Sequence, residues 1–485
     1  MAQEIELKFE LASENVPLLT TLPILAPSTA RAVPQLTIYY DSPKANVRRH
    51  GFSLRVRSAD GSFVQTVKPL ESSAALFARE EWECQVQSIE PDVGALADSP
   101  LRELARGRRL KTLVPVIRSE VRRTSWLLNH NGSAISVDLD EGSMVADGAS
   151  DSFTELELEL LKGNQADLLE TARAIAGGVP VRLGVLTKAE RGFALADGSL
   201  GRVTKARPVA VAPAMSVADG LTVIVQACLT HFRRNESIVA LRRQPEALHQ
   251  TRVAMRRLRS AFSLFKPVAA DDEYEVLRQE LRWFTNLLGD ARNLDVYLQR
   301  DDVPQEQSPE LLRRREQAYD TIIASLDSER FLKLMFDLVA WLASGRWRSS
   351  KKAQKPLLPF AGKRLDRMWG RVAGVGELAT MDDSERHGLR IEVKKLRYGV
   401  EFFRGLYPAA ASTHKQFAQS VEELQEVLGE LNDIVTAQLL AAQSDVFDEL
   451  VVAVVEGDPT RELVARSEQC LARLREIGPY WSAAA

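Results

Sequence analysis

Like charges on alternate residues are the first chemistry this sequence offers. Glu4, Glu6 and Lys8 alternate with Ile5, Leu7 and Phe9, and Glu155, Glu157 and Glu159 alternate with Leu156, Leu158 and Leu160. Arg55 and Arg57 flank Val56 in the same manner, Arg79, Glu81 and Glu83 share one phase, and Asp138 and Asp140 repeat the spacing. Successive side chains of a strand point to opposite faces, so each set occupies one face with apolar residues behind it. A half-solvated sheet also carries charge on one face. A row of like charges repels itself, however, and gains little from water alone. Carboxylate rows suit hard divalent cations, Mg²⁺ or Mn²⁺, through oxygen ligands. Arg and Lys suit phosphate oxygens, Arg through planar two-point contacts and Lys as a point charge. A polyanion that carries a metal needs both sets, and a closed sheet could enclose them around solvent and salt.

The elements that must position these rows fall in residues 1–200, where period-two alternation dominates. Turn signals punctuate it at Asp60-Gly61, Asn131-Gly132, Glu141-Gly142 and Asp147-Gly148, and residues 16–22, 95–105 and 165–176 read as helical. Pro208 and Pro213 mark a small-residue boundary, which gives a first domain over 1–205, a linker over 206–215 and a second domain over 216–480. In the second domain the period changes to about 3.6. Residues 218–233, 249–265, 274–288, 311–324, 331–342 and 416–440 carry apolar stripes of helices.

A chain of 485 residues exceeds what one core covers, and 45% apolar with 27% charged residues is ordinary for a globular protein. A formal net charge of -3 argues against a bulk nucleic-acid binder, though local clusters cancel in that sum. Cys84, Cys228 and Cys470 are too scattered for a disulfide framework. The opening Met1-Ala2-Gln3-Glu4 is no signal peptide, and no stretch approaches the ~20 apolar residues of a membrane span, so cytoplasm is the default address.

The helical half contains a duplication. His249, Arg252, Arg256, Arg257, Leu258 and Arg259 fall at the same offsets as His387, Arg390, Lys394, Lys395, Leu396 and Arg397. A second match, Leu288-Gly289-Asp290 with Leu428-Gly429-Glu430, follows in each copy. His249, Arg252, Arg256 and Arg259 form one helical stripe, and His387, Arg390, Lys394 and Arg397 form its counterpart. Two such helices face to face would make a basic groove suited to a polyanion, to which Lys363, Arg364 and Arg367 add charge.

Glu4-Ile5-Glu6-Leu7-Lys8 resembles the N-terminal signature of the CYTH domains, the triphosphate tunnel metalloenzymes. Tyr39-Tyr40-Asp41, Leu54-Arg55-Val56-Arg57, Thr66-Val67-Lys68, Arg79-Glu80-Glu81-Trp82-Glu83, Val137-Asp138-Leu139-Asp140, the Glu155 row, Lys188 and Arg191 continue the resemblance in order. It implies an eight-stranded antiparallel β-tunnel with flanking helices and inward-pointing charge. It also implies Glu4 and Glu6 as metal ligands, with Glu81, Glu83, Asp138, Glu155 and Glu157 binding metal or orienting water. Lys8, Arg55, Arg57, Lys68, Arg79 and Arg118 would hold phosphate, and Lys188 and Arg191 would approach the terminal phosphate. Arg122 and Arg123 adjoin this set, with their strand phase unassigned. The basic repeats resemble the CHAD domain, a pseudo-duplicated all-α helical bundle associated with polyphosphate binding.

The resulting expectation is an α+β multidomain enzyme, similar to bacterial inorganic triphosphatases. It would hydrolyse inorganic triphosphate to diphosphate and phosphate with Mg²⁺ or Mn²⁺, and its helical half would bind polyphosphate. A non-catalytic polyphosphate-binding protein, a thiamine triphosphatase and a class IV adenylate cyclase are the alternatives. RNA binding ranks last, because the basic stripes lack the interleaved aromatics that base stacking uses.

Overall fold

The computed structural model describes residues 5–70, 81–107, 109–299, 308–441 and 459–482, so Glu4 and Arg79 lie outside the described residues. Alternating residues form nine strands, β1 (Glu6–Glu10), β2 (Arg31–Asp41), β3 (Phe52–Ala59), β4 (Ser62–Pro69), β5 (Trp82–Val86), β6 (Val114–His130), β7 (Ser133–Ala146), β8 (Ala149–Lys162) and β9 (Arg182–Leu183). They make one antiparallel sheet of order β5-β4-β3-β2-β6-β7-β8-β1-β9.

Three of the four expected turns are tight hairpins. Asp60-Gly61, Asn131-Gly132 and Asp147-Gly148 each have positive φ at both residues, which a type I′ turn demands and Gly or a short polar residue tolerates. Glu141-Gly142 is not a turn; it lies inside β7, with Gly142 opposite Val121 of β6. A Cβ on Gly142 would stand 2.5 Å from the Glu120 carbonyl oxygen, so close approach of two strands selects glycine there.

The expectation of an eight-stranded closed tunnel is overturned. Among the described residues the sheet has nine strands and two edges, β5 and β9, which do not pair with each other. The physical reason is edge length. The five residues of β5 and the two of β9 cannot carry a continuous ladder, and β9 pairs only with Phe9 and Glu10 of β1. The open sheet is nevertheless strongly curled, since residues of β1, β3, β4, β5, β6, β7 and β8 line one cavity.

The described helices are α1 (Val16–Thr20), α2 (Asn46–Arg49), α3 (Arg102–Arg106), α4 (Gln165–Ala176), α5 (Lys188–Ala196), α6 (Val217–Arg242), α7 (Pro245–Ala269), α8 (Asp272–Leu298), α9 (Ser308–Leu326), α10 (Glu329–Ser344), α11 (Leu357–Ala373), α12 (Asp383–Phe402), α13 (Ala411–Ala441) and α14 (Pro459–Ile477). The six stripes read in the second half all fall within helices, α6 to α10 and α13. The described residues of that half form no named strand.

The chain divides into two compact units. The first contains the sheet together with Cys228–Arg256 and Asp271–Arg346. Here the apolar faces of β1 and β8 are shut off from water, with Leu7, Phe9, Leu156 and Leu158 at 0% exposure. Each such side chain contributes about 1.5–3 kcal/mol. Phe9 meets Phe336 of α10 with ring centroids 5.4 Å apart, and buried Arg233 of α6 donates from Nε to the Leu183 carbonyl at 2.7 Å. The opposite end of the sheet has its own core, in which Ile38, Leu54, Val56 and Val67 pack with Leu96, Leu101 and Leu104. The second unit comprises Arg207–Ala227, Arg257–Ala270 and Trp347–Ala485, in which α12 packs between α11 and α13, and α13 against α14.

Gly142→Ala should lower stability by about 1–3 kcal/mol, the usual cost of overpacking. Urea unfolding of the two proteins checks this; an unchanged midpoint would show that the strands can separate freely.

Candidate functional site

The concave face of the sheet encloses a cavity of about 300 Å³. Glu6 and Lys8 reach it from β1, Arg55 and Arg57 from β3, Lys68 from β4 and Glu83 from β5. Arg123 enters from β6, Asp138 from β7, Glu157 and Glu159 from β8, and Lys188 from the first turn of α5. The period-two pattern explains this convergence: Leu54 and Val56, which alternate with the arginines, are fully buried on the other face.

An ion network organises the floor. The Arg123 guanidinium donates two bonds to Asp140, at 2.7 and 2.6 Å, one to Glu157 at 2.6 Å and one to Asp138 at 3.2 Å. The Lys188 ammonium lies 2.8 Å from Asp140, 2.9 Å from Glu157 and 3.1 Å from Glu155, while Lys8 reaches Glu157 at 2.7 Å. Burial would push the Glu157 carboxyl up, but Lys188, Lys8 and Arg123 outweigh it and hold the group well below the carboxylate range. Asp140 is lowered in the same way, against its burial, by Lys188 and Arg123. Burial also opposes the charges of Lys188 and Arg123, and the surrounding carboxylates outweigh it and raise both.

Arg57 is less well matched. Like charge on Arg55, followed by burial, pushes Arg57 down to about 10. Among the described residues the Arg57 Nε has no hydrogen-bond partner. Arg55 fares better, because Tyr39, Glu83 and Glu81 offset its burial. A multiply charged anion would relieve Arg57.

Of the remaining residues chosen from sequence, Glu81 pairs with Lys68 at 2.5 Å and Glu83 accepts from Thr66 at 2.9 Å. Glu155 is buried behind the cavity floor beside Lys188. Arg191, one turn along α5, contacts Asp151 at 2.9 Å and Glu10 at 3.5 Å. The structure does not bring Arg118 to the cavity; it is exposed and pairs with Glu120 at 2.6 Å. Arg123 is the residue that sequence reasoning left unplaced. Its signal was the pairing of β6 with β7, which sets Arg123 opposite Asp140.

No three His, Cys, Asp or Glu groups among the described residues form a metal-holding cluster. The donor chemistry nevertheless fits Mg²⁺ or Mn²⁺. Glu6 stands directly across from Glu159 in the β1–β8 register, and both line the cavity. Mg²⁺ is usually held through one or two carboxylates plus substrate phosphates rather than by an all-protein cage.

In the helical half, the first repeat lies on α7. Burial, joined by Arg292, Arg252 and Arg256, pushes the His249 imidazole down, so the ring is mostly neutral near pH 7. Arg257 is turned inward, buried and paired with Glu401 at 2.6 Å, whereas Arg252, Arg256 and Arg259 keep partial exposure. The second repeat lies on α12. There His387 Nδ1 donates to Asn432 Oδ1 at 2.6 Å, which joins the histidine motif to the Leu428-Gly429 segment of the same copy. Arg390 and Lys394 are half-buried, Lys395 pairs with Glu392 at 2.6 Å, and Arg397 reaches Glu422 at 3.3 Å. No described helix is long and apolar enough to cross a membrane.

Residues 2–193 match the CYTH domain family and residues 223–442 match the CHAD domain family. Over 202 residues the chain is 29% identical to the inorganic triphosphatase of Haemophilus influenzae, covering 40% of this chain and 55% of that protein. The match thus spans about half the length of that relative. Among solved structures, the CHAD domain from the plant Ricinus communis is 28% identical, covering 58% of this chain and 96% of that one with a TM-score of 0.45. A putative adenylyl cyclase from Hippeastrum, described as revealing a dominant triphosphatase activity, is 18% identical over 41% of this chain and 97% of its own, with a TM-score of 0.31.

The network makes a pH prediction. Asp140 and Glu157 have depressed pKa values, so their contribution to stability is present above the unfolded values near ~4 and is lost as pH falls through the folded ones. Lys188 and Arg123 are raised, so theirs is full at neutral pH and lost only in strong alkali. Arg123→Ala should cost about 3–5 kcal/mol at pH 7, because it strands buried carboxylates. It should also flatten the acid limb of a stability–pH curve measured by urea unfolding. A variant with an unchanged acid limb would overturn the assignment of Arg123 as the hub.

Proposed function

Because this chain joins a CYTH domain to a CHAD domain, we propose that its sheet unit hydrolyses inorganic triphosphate to diphosphate and phosphate. The observation that carries this reading is one cavity lined both by the buried Arg55 and Arg57, the latter with a lowered pKa, and by a carboxylate set. Inorganic triphosphate brings several charged oxygens and no bulky group, which suits a polar space of about 300 Å³. The Haemophilus influenzae relative, an inorganic triphosphatase, supports the same substrate.

In this mechanism Arg55 and Arg57 hold phosphate oxygens by planar two-point contacts, and Lys8 and Lys68 add point charges. These cations also stabilise charge that develops on the transferring group and the leaving diphosphate. Glu157, held ionised by Lys188, Lys8 and Arg123, accepts hydrogen bonds from an attacking water. So acidic a carboxylate is a poor proton acceptor at neutral pH, and its role is to orient the water. Arg123 and Lys188 fix the carboxylates in place, and Arg191 stands next to them at the open end of α5. CYTH domains are generally metal-dependent. Mg²⁺ or Mn²⁺ held with Glu6 and Glu159 would neutralise phosphate oxygens and lower the pKa of a bound water. The basic stripes of α7 and α12 are assigned to longer polyphosphate, which the neutral His249 and the half-buried arginines contact as donors.

Turnover is checked by product analysis with Mg²⁺ or Mn²⁺ on inorganic triphosphate, ATP, thiamine triphosphate and long-chain polyphosphate. Triphosphate should give equal phosphate and diphosphate, lost on chelation; cyclic AMP as the main product from ATP would install the cyclase reading instead. Arg57→Ala should lower kcat/KM by about 10²–10³, and Glu6→Gln should raise the metal concentration needed for half-maximal rate. Binding without turnover of any compound would leave a polyphosphate-binding protein.

Replacing Arg252, Arg256, Arg390 and Arg397 together with Ala should weaken long-polyphosphate binding. It should also make the salt dependence shallower, because fewer counterions are exchanged. Titration at several salt concentrations measures both, and unchanged affinity would remove these stripes from the binding surface.

A further inference from the structure

A second basic cavity stands in the helical unit, sharing only Lys395 with the repeated histidine motifs. It measures about 420 Å³ and is lined by α7, α11 and α12. Arg364, Arg367 and Arg371 of α11 are spaced three and four residues apart, which places them on one stripe. Lys266 of α7 and Lys395 of α12 bring the lining to five cations, against the single carboxylate of Glu392. Glu392 is already committed, accepting from Arg371 at 3.1 Å and from Lys395 at 2.6 Å.

Two polar atoms in this lining are stranded. Among the described residues the Nε of Arg364 and the hydroxyl of Tyr398 are buried without a hydrogen-bond partner, and Tyr398 as a whole is 2% exposed. Burial, with Arg367 and Arg371 nearby, lowers the Arg364 pKa. A basic stripe on a solvated face would leave its donors in water, whereas a buried donor without a partner is destabilising. Such groups in a lined cavity mark a ligand that completes them. The lining also offers an apolar wall of Leu264, Pro267, Met368 and Phe402. An inorganic phosphate chain would leave that wall unused.

We propose that the cavity between α7, α11 and α12 binds a small phosphorylated molecule with an apolar or planar body, of the size of a mononucleotide. Arg364, Arg367 and Arg371 take the phosphate, the Tyr398 hydroxyl adds a hydrogen bond, and the body lies on the Leu264–Phe402 wall. This site uses residues of the helical unit alone and does not depend on the triphosphatase reading.

The test is calorimetry on the full chain with AMP, inorganic phosphate and inorganic triphosphate as probes. AMP should bind at least about tenfold tighter than inorganic phosphate, the margin that ~1.4 kcal/mol from the apolar wall supplies. Arg364→Gln and Tyr398→Phe should each weaken AMP about tenfold while leaving triphosphate cleavage unchanged. Arg367→Gln, at an exposed position, carries the same test should Arg364→Gln fail to fold. AMP binding no tighter than phosphate, or unaltered by all three substitutions, overturns the proposal. Loss of AMP binding in Arg57→Ala but not in Arg364→Gln would place the nucleotide in the sheet cavity and overturn it as well.

Discussion

The Arg123 guanidinium among Asp138, Asp140 and Glu157 is the contact on which the charged face of the sheet depends. Ionised carboxylates cannot be drawn together out of water unless cations meet them at hydrogen-bond distance. Arg123 and Lys188 meet that need from opposite directions, one from a central strand and one from a helix laid across the sheet. They share Asp140 and Glu157 between them, so neither can be removed without stranding the same acids. Arg57, next to Arg55, lacks such matching and carries the cost as a lowered pKa. The acids of the cavity are therefore matched within the protein itself, whereas Arg57 is not.

The same constraint explains how the sheet can be open and still enclose a site. Among the described residues hydrogen-bond closure is absent between β5 and β9, yet apolar residues on the convex side of the sheet are shielded by separate elements. Phe9 lies against Phe336 of α10, while Leu54, Val56 and Val67 lie against the segment that includes α3. Curling is thus stabilised from outside by apolar burial and within by charge pairing. Helices from the second half of the chain take part directly. Arg233 donates to the β9 carbonyl, and Arg234 reaches Glu190 at 3.0 Å, the residue that closes the capping box of α5. The helix bearing Lys188 and Arg191 is therefore braced by α6.

Period two in the strands and period 3.6 in the helices made much of the molecule legible in the sequence. The phase of Lys8, Arg55, Arg57, Asp138 and Glu157 follows from their apolar neighbours alone, and all five line the cavity. Three hairpins were readable because Asp-Gly and Asn-Gly tolerate positive φ. The basic repeats were readable because duplicated spacing survives in one dimension, and they fall on α7 and α12.

What only the tertiary structure decided involves partners far apart in sequence. Whether the sheet closes depends on the lengths of two edge strands and on what lies beside them, which no local pattern carries. The roles of Arg118 and Arg123 depend on strand phase in β6. There arginines fall on both faces, and only pairing with β7 sets Arg123 against Asp140. Gly142 reads locally as a turn and is instead a point where β6 and β7 approach closely. The cavity of α11 combines residues from three helices that lie far apart in sequence. Local periodicity fixes which way a side chain faces; which charge it meets there is set by packing.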